Sequence, residues 1–200
     1  MYIEIHKAVV VLERKLPNKI HIIGSVGSGK TTLARTLSSQ LHILYYELDN
    51  VVWRRSKNGD IRNTPEERDE QLNDIVSSNA WIVEGAHHKW VSQSFRHADM
   101  IIFLDVSLSK RIYRITKRFI LQLLRLEKAN YKPNFKMFLK MFKWTNDFER
   151  ESRAEILYML SQYNDKLFVL KDNGEDDIYE ILSHAHQLKK SNHLQNEKMS

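Results

Sequence analysis

The chain has no cysteine, only three prolines and six glycines among its 200 residues, and no apolar run long enough to cross a bilayer. The missing cysteine excludes a disulfide framework and any thiolate metal site, and it agrees with a reducing compartment. The longest apolar stretches, residues 100–104 and 119–124, fall far short of the roughly 20 residues that a membrane-spanning helix needs. Residues 1–7 include an early acid, and residues 8–12 lack a small-residue cleavage site, which argues against a signal peptide. The expectation is a cytoplasmic protein without a membrane partner, monomeric or homodimeric. Its main domain should span residues 19–182, between an N-terminal extension over 1–18 and a polar tail over 183–200 that frays from a helix.

Charge is distributed unevenly. The formal net charge is +6, yet residues 110–153 alone hold thirteen Lys or Arg against four acids, Glu127, Asp147, Glu149 and Glu151. An anionic partner is expected there, either a phosphorylated small molecule or a nucleic acid.

Three of the six glycines fall within residues 24–29, inside Gly24-Ser25-Val26-Gly27-Ser28-Gly29-Lys30-Thr31. This is the G-x-x-x-x-G-K-[ST] spacing, in which successive backbone N–H groups converge on phosphate oxygens because glycine permits the backbone angles and the close approach. Lys30 is expected to reach the terminal phosphates of ATP or GTP. Thr31 opens a helix with a hydroxyl able to ligate Mg²⁺, Thr32 follows it, and the helix N-terminus adds partial positive charge beneath the same anion. The apolar run of residues 19–23 before the loop reads as a buried strand, and Leu33, Ala34, Leu37 and Leu41 behind it follow helical spacing.

Further apolar runs at residues 43–49, 80–84, 100–105 and 166–170 alternate with helical patterns, one of them a capped start at Thr64-Pro65-Glu66-Glu67. This alternation predicts an α/β fold: a five-stranded parallel sheet flanked by helices, with a basic helical lid insertion over about residues 109–163.

Three acids end predicted strands: Asp49, Glu84 and Asp105. Glu84, followed by Gly85, is the expected neighbour of the metal, Asp49 the expected neighbour of a second substrate, and Asp105 a structural residue. Arg54 and Arg55 suit an acceptor's phosphate or carboxylate. Arg111, Arg114 and Arg118 recur at helical spacing, so one helix face should present all three to an anion, with Arg150 or Arg153 closing from the far side. His87, His88 and Trp90 read as substrate-side or exposed residues.

Taken in order, these features resemble the adenylate kinase and shikimate kinase group of P-loop phosphotransferases. Within that group they are most similar to bacterial proteins labelled DNA topology modulation proteins. The likeness spans about residues 20–170 and rests on residues 24–31, Leu48-Asp49 with Val52-Trp53-Arg54, Trp81 to Gly85, Phe103-Leu104-Asp105 with the three arginines, and Phe142-Lys143-Trp144. It implies an acceptor site near residues 49–55 and an arginine-bearing lid. The favoured reading is an ATP- and Mg²⁺-dependent kinase for a small acceptor, a nucleotide, nucleoside or other hydroxyl compound. The alternative is a nucleotide-dependent DNA-binding protein that uses Lys132, Lys136, Lys140 and Lys143; a slow NTPase switch without an acceptor comes third.

Overall fold

The computed structural model describes residues 17–54, 56, 59–126, 135–172 and 174. Apart from Pro17 and Asn18, the expected extension and polar tail lie outside these residues, as do Arg55 and Lys132. In chain order, β1 (Lys19–Gly24) leads through the glycine loop into α1 (Lys30–Leu41), followed by β2 (Tyr45–Glu47) and the short α2 (Leu48–Val52). A small hairpin, β3 (Trp53–Arg54) and β4 (Ile61–Arg62), precedes α3 (Pro65–Ser77), β5 (Trp81–Gly85), α4 (Ser92–His97) and β6 (Met100–Leu104). Then come α5 (Leu108–Leu123), α6 (Phe135–Asp147), a π-helical turn (Phe148–Ser152), α7 (Arg153–Leu160), a 3₁₀ turn (Ser161–Tyr163) and β7 (Leu167–Leu170).

Five strands form one parallel sheet in the order β2-β5-β1-β6-β7. The central β1 is covered on both faces, which is why residues 20–23 are continuously buried. The chain steps outward from β1 to β2, then returns through β5 and onward to β6 and β7. Right-handed crossovers taken in opposite directions place their helices on opposite faces. One face accordingly carries Ile23, Trp81, Val83, Ile101 and Phe103 against Leu72 and Val76 of α3, Phe95 of α4, and Ile156 and Leu160 of α7. Leu33, Ala34 and Leu37 of α1 are fully buried outside that cluster.

Local chemistry sets the helix limits. Thr64 caps α3 with a complete capping box, its hydroxyl accepting from the Glu67 N–H while the Glu67 carboxylate accepts from the Thr64 N–H, and Pro65 occupies the first turn. Asp147 and Arg153, on either side of the π-turn, both keep right-handed helical angles, so α6, the π-turn and α7 run on as one helix. Phe119 of α5 stacks on Phe138 of α6 with ring centroids 4.3 Å apart, closing the lid hairpin at its waist. No helix among the described residues is long and apolar enough to cross a membrane.

One polar group sits in the centre of the sheet. His21 is fully buried on β1, its Nδ1 2.7 Å from Ser94 Oγ and its ring 4.3 Å from that of Phe95. Burial pushes its pKa down from 6.5 to about 3. Below pH 6.5 the unfolded chain takes up a proton there that the folded chain refuses, so stability is complete above that pH and falls as the pH drops towards 3. This site alone should add a slope of about 1.4 kcal/mol per pH unit across that window. Urea unfolding between pH 7 and 4 should show a shallower slope for His21→Gln than for the parent.

Candidate nucleotide and acceptor site

The glycine loop leaves the carboxyl end of β1 and closes on the first turn of α1. Gly27 and Gly29 hold φ of 75° and 97°, left-handed angles that side-chain-bearing residues rarely adopt. A Cβ on Gly27 would lie 2.9 Å from the Arg111 carbonyl oxygen and 3.0 Å from Ile115 Cγ1, so α5 is seated directly against the loop. Arg114, one turn along α5, donates from Nη1 to the Ser28 carbonyl at 2.7 Å and from Nη2 to Asp172 Oδ1 at 2.6 Å. Ser25 Oγ and Ser28 Oγ are buried in the loop without a hydrogen-bond partner among the described residues. Buried hydroxyls of this kind require a partner, and a bound phosphate group supplies one. The donor set therefore fits a nucleotide's phosphates.

Lys30 folds back along the loop, its Nζ donating to the Ser25 carbonyl at 2.9 Å. Burial pushes its pKa down, while the carboxylates of Glu84 and Asp49 oppose that shift. Glu84, at the end of β5, is 5% exposed, and burial raises its pKa against the pull of Lys30 and Thr31. Thr31 Oγ1 donates to Glu84 Oε1 at 2.5 Å, so the two expected metal neighbours do meet. Among the described residues no group of three or more His, Asp or Glu could hold a metal. One carboxylate and one hydroxyl fit Mg²⁺, which keeps several waters and takes its remaining ligands from substrate phosphates.

The acceptor side differs in detail from the sequence expectation. The second strand stops at Glu47, and Asp49 sits in the first turn of α2 rather than at a strand end. Its side chain is 71% exposed and lies 3.4 Å from His87 Nε2. The His87 ring packs 5.4 Å from that of Trp90, whose other neighbour is the Arg68 guanidinium at 4.4 Å. His88 Nε2 and Lys89 Nζ face Glu155 of α7 at 3.1 and 3.6 Å. Gly85 is buried, and a Cβ there would lie 2.7 Å from Leu48 Cδ1; its place in the site is thus to let α2 approach β5 and carry Asp49. Arg54 is exposed on the small hairpin, where the Arg62 guanidinium stands 5.8 Å from the Trp53 ring.

The three arginines of α5 do not share one anion-facing surface, which corrects the expectation from their spacing. Arg111 is fully buried in the seam between α5 and the π-turn, donating from Nε to the Val106 carbonyl at 2.9 Å and from Nη2 to Glu149. Arg114 is half-buried on the loop, and Arg118, one turn further, is exposed. Spacings of three and four align side chains, but α5 is wedged between loop and lid, so burial falls steeply along its length. Arg153 is not turned to the loop either: it grips Asp105 bidentately, Nε to Oδ1 and Nη2 to Oδ2 both at 2.7 Å, with Lys171 Nζ adding 2.5 Å to Oδ2. These bonds to Arg153 and Lys171 hold the Asp105 pKa at about 2. The pairings of Glu149 with Arg111 and of Asp172 with Arg114, and the stacking of Arg68 on Trp90, carry no signal in the sequence, because each joins residues that only the fold brings together.

A glycine loop with this geometry, between the first strand of a parallel sheet and the helix behind it, defines a nucleotide-binding P-loop protein. The chain belongs to the AAA domain family, which matches residues 20–119, half of its length. It is similar to a Bacillus subtilis (strain 168) protein described as uncharacterized protein YqaC, 30% identical over 103 residues that make up 52% of this chain and 57% of that one. The match thus spans little more than half of that protein's length. Among solved structures, the fold is shared with a gluconokinase from Sinorhizobium meliloti 1021, at a TM-score of 0.52 and 16% identity over 91% of this chain and 99% of the other. It is shared equally with a shikimate kinase from Acinetobacter baumannii in complex with shikimate, at 0.52 and 16% over 90% and 96%.

Two outcomes test this geometry. ATP or GTP with Mg²⁺ should raise the melting temperature by mass action, and Lys30→Ala should remove most of that rise; equal binding by both proteins in calorimetry would place the phosphates elsewhere. Gly85→Ala should cost about 1–3 kcal/mol by overpacking Leu48. Its loss combined with that of Leu48→Ala should be smaller than the sum of the two single losses, a non-additivity that urea denaturation measures directly.

Proposed function

We propose that this protein is a phosphotransferase that moves the terminal phosphoryl group of ATP or GTP to a small hydroxyl-bearing acceptor, a nucleotide or nucleoside among the candidates. The observation that carries this reading is the placement of Asp49. An exposed carboxylate on the α2 side of the cleft lies within electrostatic reach of Lys30, the residue that holds the terminal phosphates. A bare NTPase has little use for such a group, whereas an acceptor hydroxyl needs both orientation and a destination for its proton. The two solved structures of similar fold are named as kinases of small molecules, which supports the same class.

In this mechanism the loop amides, Lys30 and the Ser25 and Ser28 hydroxyls hold the donor. Asp49, braced by His87, orients the acceptor and accepts the proton of its hydroxyl. The bond from the terminal phosphorus to the bridging oxygen breaks as the bond to the acceptor oxygen forms, and the nucleoside diphosphate leaves. Mg²⁺, held by Thr31 and Glu84, would neutralise charge on the phosphate oxygens. Rate enhancement comes chiefly from positioning and fixed charge. Arg54, exposed on the hairpin, is a cation that an anionic group on the acceptor could reach, whereas Arg68 beside Trp90 is already paired with Asp69.

A second reading, a DNA-binding nucleotide-dependent protein of the topology-modulation kind, draws on α6. There Lys136, Lys140 and Lys143 are all exposed, and no acid occurs among the described residues from Leu108 to Asn146.

The decisive variant is Asp49→Asn. It should keep nucleotide affinity within a few-fold and lose phosphoryl transfer by about 10² or more, the scale of a general base or positioning group. A panel of nucleotides, nucleosides and small hydroxyl compounds is first screened for ADP release above the water background. If no acceptor stimulates turnover, the phosphotransferase assignment fails and the DNA reading gains; if a transfer reaction is found and Asp49→Asn leaves it intact, the role assigned to Asp49 fails.

A further inference from the structure

Arg111 is the most unusual charged residue of the fold. Its side chain is wholly buried, and its guanidinium carbon stands 5.0 Å from the ring of Phe148, the first residue of the π-turn. Nε is committed to Val106 and Nη2 to Glu149, the second residue of that turn. Nη1 is buried and has no hydrogen-bond partner among the described residues. A structural clamp gains nothing from an unsatisfied donor in a low-dielectric seam, and such an atom in a folded protein calls for an explanation.

Three features point to the glycine loop as the explanation. The Arg111 carbonyl oxygen is the atom that Gly27 leaves room for, so the backbone of Arg111 is fixed against the loop. Its charge is felt by Lys30. The other nearby carboxylate, Asp105, already accepts from Arg153 and Lys171. The π-turn supplies the rest: adjacent residues of one widened helical turn place Phe148 beneath the guanidinium and Glu149 at its edge. Single π-turns inside α-helices occur frequently at functional sites.

We propose that Glu149 is a positioning residue that holds the Arg111 guanidinium so that its uncommitted Nη1 meets the terminal phosphate of the bound nucleotide. This rests on the phosphotransferase reading only as far as nucleotide binding; it needs no acceptor. The carboxylate cancels the buried charge while the ligand is absent and fixes the guanidinium plane when the ligand is present. The lid helix thereby reports on the third phosphate through a residue that never touches it.

Calorimetric titration of ADP and of an unreactive ATP analogue, each with Mg²⁺, tests this. Glu149→Ala should weaken the analogue by about tenfold or more, the value of one hydrogen bond to a charged group, and leave ADP nearly unchanged. Arg111→Ala should do the same, and the double variant should lose no more than either single one. Glu149→Gln, which keeps an acceptor oxygen, should rescue most of the loss. Should Glu149→Ala fail to fold, Glu149→Asp provides the reading, since it keeps the charge but withdraws the carboxylate by one methylene and should lose analogue affinity selectively. Equal weakening of both nucleotides, or of neither, overturns the proposal and leaves Glu149 as a structural partner. A parent protein that binds the analogue and ADP but transfers to no acceptor defeats only the kinase reading; one that binds neither nucleotide defeats both.

Discussion

The arrangement depends on one close approach, that of α5 to the glycine loop at Gly27. A Cβ at that position would occupy space taken by the Arg111 carbonyl and the Ile115 side chain. Because nothing is there, α5 packs backbone against backbone with the loop and starts its first turns beside the phosphate cradle. Arg114 then reaches the Ser28 carbonyl, and Arg111 is committed to the seam behind it. The same contact fixes where the lid begins, since α5 is the lid's first helix. A substitution that pushed α5 away would disturb the loop, the arginines and the lid root together.

Around that contact, charges are paired across elements rather than along them. Asp105 at the end of β6 binds Arg153 of α7 and Lys171 after β7; Asp172 binds Lys110 and Arg114 of α5; Glu149 of the π-turn binds Arg111. The Arg153–Asp105 pair and the pairs of Lys110 and Arg114 with Asp172 join the lid or its root to the carboxyl edge of the sheet, whereas Arg111–Glu149 ties the two arms of the lid together. The low pKa of Asp105 keeps its anchor ionised at any ordinary pH. Where both partners reach solvent, as in Lys110–Asp172, such a pair contributes little. The buried Arg111 is different, because desolvation makes its loss of a partner costly. The basic excess of residues 110–153 is therefore only partly solvated surface. Part of it is internal wiring that draws its acids from β6, from the π-turn and from the segment after β7.

The sheet and the phosphate loop were legible because their signals are local. Residues 20–23 are apolar without a break since β1 is covered on both faces, and the loop spacing follows directly from what phosphate binding requires of the backbone. The start of α3 was equally legible, as Thr64, Pro65 and Glu67 each carry a capping role. The placement of Asp49 was less so: residues 43–49 read as one strand, yet pairing with β5 ends at Glu47 and Leu48 turns into α2 to pack on Gly85. Helical spacing grouped Arg111, Arg114 and Arg118 correctly on one helix but could not say that the helix would be wedged end-on, with one arginine buried and another in solvent. The π-turn had no visible signal, because an inserted residue in a helix is defined by tertiary partners, here Arg111 against Phe148 and Glu149.

The proposed donor and acceptor sides are also built differently. On the donor side, strand, loop and helix are packed to the limit: two left-handed glycines, buried hydroxyls and a buried Glu84 leave few ways to alter the chemistry without losing the fold. On the acceptor side, Asp49 projects from a five-residue helix, Arg54 from a two-residue strand, and His87 and Trp90 from the loop after β5. Short elements and loops carried by a rigid sheet can change their side chains at little cost to stability. A shared fold at 16% identity conveys the sheet and the helices around it, and leaves the side chains of the cleft to this chain's own sequence. Those residues offer a carboxylate braced by a histidine, with a cation stacked on a nearby indole. Under the proposed phosphotransfer, the carboxylate suits a polar hydroxyl compound better than an apolar one.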